Sequence, residues 1–198
     1  VRGVFDYVVK PFGDRYKNKV QVEEGKDLIL NTEVFNHQYI NRVGVVEATP
    51  VIADTLVRPG DEVILHHNVF RRWHDIKGVE RNSKAFIDED TYLVQPDQIF
   101  LYRAPGEEWR TLPGYCFVQP IKNDDRFSLD TEKPLVGIVR YSDGGVEVGS
   151  MVGFSPGDEF EFVIEDERLY RIMSKYINIQ YEYQGDEEAY NPSWAQSG

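Results

Sequence analysis

The sequence predicts an all-β chain of two tandem domains. Three observations predict it. The apolar runs are short, rich in β-branched and aromatic residues, and ended by Pro, Gly or Asp. Almost no segment keeps a helical period of apolar residues, a single turn around Asp97 excepted. The order of strand-like segments in residues 4–103 recurs in residues 113–183.

At 198 residues the chain is long enough for one good core or two small ones, and 13% aromatic residues argue against disorder. Fifteen basic and eighteen acidic residues lie in 1–110, seven and sixteen in 111–198, so the net charges are −3 and −9. A total of −12 argues against nonspecific phosphate or nucleic-acid binding. The single Cys116 excludes an internal disulfide and a thiolate zinc cage. No apolar run approaches the roughly 20 residues of a membrane helix, and Val1 to Lys10 lacks a signal-peptide core, so a soluble cytoplasmic protein is expected.

The elements follow in order. Val4 to Val9 reads as a strand stopped by Pro11, and Arg42 to Ala48 as one stopped by Pro50. Pro59-Gly60-Asp61 is a turn from which Glu62 to His67 leaves as a strand. Ala85-Phe86-Ile87 and Tyr92-Leu93-Val94 flank an acidic turn at Asp88-Glu89-Asp90, and Gln98 to Tyr102 closes the set. Strands this short and this regularly spaced fit a small barrel or a sandwich. Ala104-Pro105-Gly106 and Pro113-Gly114 bracket a polar linker.

Five segments then recur. Tyr115 to Pro120 matches Phe5 to Pro11, and Leu135 to Val139 matches Arg42 to Val46. Pro156-Gly157-Asp158 matches Pro59-Gly60-Asp61, Tyr170-Arg171-Ile172 matches Tyr92-Leu93-Val94, and Ile177 to Tyr181 matches Ile99 to Tyr102. The second copy keeps the strands and loses two long loops, one between Pro11 and Gly44 and one between Asp61 and Tyr92.

The residues between Asp14 and Arg42 form a connection far longer than the usual ~4–6 residues. Its stretch Arg15 to Lys26 is polar and charged, and Leu28-Ile29-Leu30 then sets three aliphatic side chains together. Such a segment either docks into an apolar groove as it orders, or pairs as a plain strand that buries the triplet.

The order of strand, long loop, Gly-Val-Val strand, Pro-Gly-Asp turn, Ile-Asp-Glu turn and two closing strands resembles a GroES-type co-chaperonin, in the tandem arrangement of some organellar and viral relatives. Gly60 to Ile64, Phe86 to Val94 with Asp97 to Leu101, and Gly25 to Thr32 carry the resemblance. It implies two tandem GroES-like β-barrels, the second trimmed of its long loops: a first barrel over 1–103, with a mobile loop at 12–42 and a hairpin insertion at 68–84. A linker at 104–112, a second barrel over 113–184 and an acidic flexible tail at 185–198 complete it. The resemblance also implies a homo-oligomeric ring that caps a GroEL-type chaperonin through Gly25, Leu28, Ile29 and Leu30. ATP then belongs to the chaperonin, and no cofactor is expected on this chain. One departure is clear: the family's Gly-rich roof hairpin is replaced by the short, glycine-free Glu47 to Arg58.

Phe70, Arg71, Arg72 and Trp73 form the one basic aromatic cluster and are expected to contact a subunit or partner rather than nucleic acid. His66 and His67, adjacent on a strand, should point to opposite faces, so no metal site is expected there. Cys116 reads as a core thiol, and no catalytic constellation emerges. The alternative reading is a structural or decorating protein of a virus particle, sited in the virion rather than the host cytoplasm, with virion proteins as partners.

Overall fold

The computed structural model describes residues 1–16, 19–23, 26–29, 40–125, 129–182, 185 and 187–192. The fold is nearly all β and its paired strands are antiparallel. Among the described residues, helical geometry is confined to single 3-10 turns at Pro96–Gln98 and Ser174–Tyr176. None of the described residues form a helix long and apolar enough to cross a membrane. The chain divides into two compact units, Val1–Trp109 and Arg110–Gly198.

The first unit contains β1 (Tyr7–Pro11), β2 (Lys19–Glu23), β3 (Lys26–Ile29), β4 (Val43–Ala48) and β5 (Glu62–Leu65). It continues with β6 (Arg72–His74), β7 (Glu80–Asn82), β8 (Phe86–Asp88), β9 (Thr91–Val94) and β10 (Ile99–Arg103). Within the unit the strands of the main sheet run β10-β5-β4-β1-β9-β8, while β2 pairs with β3 and β6 with β7 as separate ribbons. Alternating and fully apolar strands bury Val9, Leu65, Tyr92, Val94 and Leu101 completely. Full burial of such side chains stabilises by about 1.5–3 kcal/mol each, which is why these short strands hold.

The second unit contains β11 (Arg110–Thr111), β12 (Tyr115–Lys122), β13 (Glu132–Ser142), β14 (Met151–Phe154), β15 (Phe160–Ile164), β16 (Glu167–Met173) and β17 (Ile177–Gln180). Its sheet runs β15-β16-β12-β13-β14-β17. Cys116, Val118, Val139, Val152, Phe154 and Ile172 form its core.

The two strand orders are the same once β1, β4, β5, β8, β9 and β10 are read as β12, β13, β14, β15, β16 and β17. The registers agree residue by residue. Val9 faces Val46 and Pro11 faces Gly44, as Val118 faces Val139 and Pro120 faces Gly137. A bulge precedes each valine, between Val8 and Val9 and between Phe117 and Val118. Val9 also faces Tyr92 across β9, as Val118 faces Tyr170 across β16. Both glycines sit where a side chain cannot. A Cβ on Gly44 would lie 2.5 Å from Val9 Cγ1, and one on Gly137 would lie 2.7 Å from the Gln119 carbonyl oxygen.

The expected match between the two Pro-Gly-Asp turns does not hold. Pro59-Gly60-Asp61 leads from β4 into β5, whereas Pro156-Gly157-Asp158 leads from β14 toward β15. The counterpart of the first turn is Val148-Gly149-Ser150. Gly60 N–H donates to the Val46 carbonyl and Val46 N–H to the Asp61 carbonyl; Gly149 N–H donates to Val139 and Val139 N–H to Ser150 in the same way. What the position demands is a positive φ, met at +94° by Gly60 and at +89° by Gly149. Proline and aspartate are optional there.

Part of the stretch expected to be a flexible tail is seated. Ala189 bridges Ile121, Lys122 N–H donates to the Glu188 carbonyl, and Tyr190 N–H donates to the Pro120 carbonyl. The acids that suggested mobility are the ones that anchor it: Glu188 pairs with Lys122 and Glu187 with Lys133. Trp194 lies outside the described residues.

Candidate functional site

The long connection between β1 and β4 is the largest difference between the units, and its base is built with care. Tyr16 and Ile40 form an antiparallel bridge, both buried. Asn41 is 1% exposed, and its amide is fully used. Nδ2 donates to the Phe12 carbonyl at 2.9 Å and the Asp14 carbonyl at 3.0 Å, while Oδ1 accepts from Val43 N–H at 3.0 Å. Asn41 thus ties both arms of the connection where β4 begins. Leaving such buried groups unmatched would cost about 1–3 kcal/mol each.

The same base is fastened to the β6–β7 ribbon. The buried Arg15 donates through Nη2 to the Phe70 carbonyl at 3.2 Å and Asn82 Oδ1 at 2.9 Å, and through Nη1 to Glu89 at 3.2 Å. Its guanidinium carbon lies 5.3 Å from the centroids of both Phe86 and Tyr92. Arg72 N–H donates to the Tyr16 hydroxyl at 2.8 Å, and the Arg72 guanidinium stacks on the Tyr16 ring. Burial pushes the Tyr92 hydroxyl up to about 12 despite the Arg15 charge, so it stays neutral under this cation.

Above this mount, β2 and β3 pair with Val20 facing Leu28 and Lys19 facing Ile29. Leu28 and Ile29 therefore belong to the returning strand of a hairpin, which answers the pairing side of the expectation. Gly25 and Leu30 lie outside the described residues.

The basic aromatic cluster needs correction. Phe70 is 1% exposed and packs edge-on against Tyr92 at 4.8 Å, so it is a core residue and not a contact residue. Arg71, Arg72 and Trp73 are half-buried. At the tip of the ribbon, Asp75 accepts from Val79 and Lys77 N–H and from Arg81. The Val79 and then the Lys77 N–H hold its carboxyl below the usual range. This caps a turn whose Ile76 is fully exposed. Exposed Val51, Ile52 and Leu56 mark a second apolar stretch between β4 and β5. Sequence reasoning missed Arg15, Tyr16, Asn41 and Ile76; an Asn just before a strand was the one readable sign.

β5 ends at Leu65, so the alternation argument for His66 and His67 lapses. Their rings stack at 4.3 Å rather than facing apart. Among the described residues, no three His, Cys, Asp or Glu side chains are grouped as metal ligands. Cys116 is fully buried, and burial, helped by the Asp143 charge, pushes its thiol up to about 12. It has the character of a core thiol and not of a nucleophile.

No protein-family model matches the chain. No curated protein matches it either.

Proposed function

We propose that this chain is the subunit of a co-chaperonin-like ring that closes over a GroEL-type chaperonin and assists protein folding. Each unit is read as a GroES-like barrel, and the working site is the hairpin between β1 and β4. One observation carries the reading. The two units share strand order and register, yet among the described residues only the first carries a paired hairpin at this place, with Leu28 and Ile29 on its returning strand. The clamp of Arg15, Tyr16 and Asn41 supports it, because a docking loop needs a rigid root. A single loop that orders on docking binds weakly, and a ring of them gains avidity while releasing readily. On this reading ATP is bound and hydrolysed by the chaperonin, this chain is no enzyme, and the cytoplasm, a host's if the source is viral, is its site of action.

The test is Leu28→Ala, Ile29→Ala and Leu30→Ala together. Burial of each side chain is worth about 1.5–3 kcal/mol. The triple variant should therefore bind a GroEL-type chaperonin in the presence of ATP at least about a hundredfold more weakly. Mass measurement of the mixture with and without ATP reads this. Undiminished binding by the variant refutes the loop's role. Absence of any binding by the unaltered protein, together with its recovery as a stable part of purified virus particles, turns the reading toward a decorating protein.

A further inference from the structure

At the root of the β6–β7 ribbon the first unit holds an open cavity of about 600 Å³. Small-ligand sites occupy roughly 300–1,000 Å³. Its walls mix an aromatic face, Trp73, with the cations Arg71 and Lys84, the amides of Asn68 and Gln98, and the carboxylate of Asp6. None of these belongs to the hairpin between β1 and β4.

The charges are unusual for this chain. Acidic residues outnumber basic ones 34 to 22, so cations should find carboxylates easily. On the ribbon itself they do: Arg72 pairs with Glu80, and Arg81 with Asp75. Arg71 and Lys84 make no ion pair among the described residues, though both face the same cavity. A planar guanidinium and an ammonium lining one cavity, neither of them in an ion pair among the described residues, are suited to grip the oxygens of a phosphate or carboxylate. Trp73 offers a flat face for a ring. Asp6, set in the same wall, would repel a second anionic group and accept a hydrogen bond from an N–H.

We propose that this cavity is a binding site for a small molecule that carries a flat ring, an anionic group and an N–H donor. Arg71 and Lys84 hold the anion, Trp73 stacks on the ring, and Asp6 with the amides accepts from the donor. A nucleoside monophosphate and a free aromatic amino acid share this chemistry.

Titration calorimetry on the full chain separates the two sources, with adenosine monophosphate and phenylalanine as the probes. Saturable binding of either at micromolar to millimolar concentration is expected, and the tighter probe names the source. Arg71→Gln should weaken it by about tenfold or more, the usual loss for a charged hydrogen bond. Lys84→Gln should do the same, and because Lys84 is exposed that variant decides the matter if Arg71→Gln fails to fold. Absence of binding by both probes at millimolar concentration overturns the proposal. So does binding that is unchanged in the folded Lys84→Gln variant.

Discussion

Asp143 stands on the surface of the second unit yet organises three segments. It accepts from Gly114 N–H at 2.8 Å, from Gly145 N–H at 3.0 Å and from the Ser174 hydroxyl at 2.9 Å. Partial burial pulls its carboxyl upward, but these donors together bring it below the usual range. The folded group therefore titrates at lower pH than the unfolded one. Its contribution is present above the unfolded value of about 3.9 and is lost as pH falls through the folded value. Asp143→Asn is expected to lower the urea midpoint at pH 7, by a stability loss below about 1 kcal/mol because the site is exposed. The gap between the two proteins should narrow as the pH falls below about 3.9. At this scale the sequence was least readable. Arg15 lies 67 residues from Asn82 and 74 from Glu89, and nothing local announces either bond. Phe70 looked like a surface aromatic because its neighbours are arginines, although its ring is in the core.

Among the elements, the pairing of β12 with β13 has the least tolerance. A Cβ at Gly137 would press on the Gln119 carbonyl at 2.7 Å, a backbone atom, whereas at Gly44 the nearest atom is a valine methyl at 2.5 Å. A side chain can turn and a ladder carbonyl cannot without moving the strand. Gly137→Ala should accordingly cost more than Gly44→Ala, with a loss of about 1–3 kcal/mol, read as the difference between their thermal unfolding midpoints. These glycines were legible in advance as equivalent positions, because each sits at the same step in the matched segments Arg42 to Val46 and Leu135 to Val139; the proline that each faces was not. The Pro-Gly-Asp turns misled for a related reason. Turn residues report a local φ, and the same φ is needed at many junctions, so Pro156 to Asp158 imitated a turn whose true counterpart, Val148 to Ser150, carries only the glycine.

For the molecule as a whole, Val1–Trp109 and Arg110–Gly198 each have a buried core of their own. The second core includes Phe117, Phe162, Leu169 and Ile172, all essentially without exposure. Residues 110–198 expressed alone should fold cooperatively, with a single urea transition and ordered aromatic circular dichroism. A fragment that stays unfolded would show that the core is insufficient by itself. The second unit also encloses the strongest ionic cluster. Arg168 is 4% exposed and donates to Glu161 at 2.7 Å while also pairing with Glu132, under the ring of Tyr170. The second unit's charge of −8 is thus not all surface; some of its carboxylates are internal fastenings.

The shared Pro–Gly rung has a consequence for the history and the engineering of the chain. Pro11 faces Gly44 at the foot of the hairpin connection, as Pro120 faces Gly137 in the second unit, where the strands run on to Lys122 and Glu132 before a shorter connection. Two sockets of one register therefore exist in a single polypeptide, one fitted with a long insert and one with a plain link. An insert can be lengthened or shortened beyond such a rung while the strands before it keep their register, so a chain can gain or lose its docking arm by a change confined to one connection.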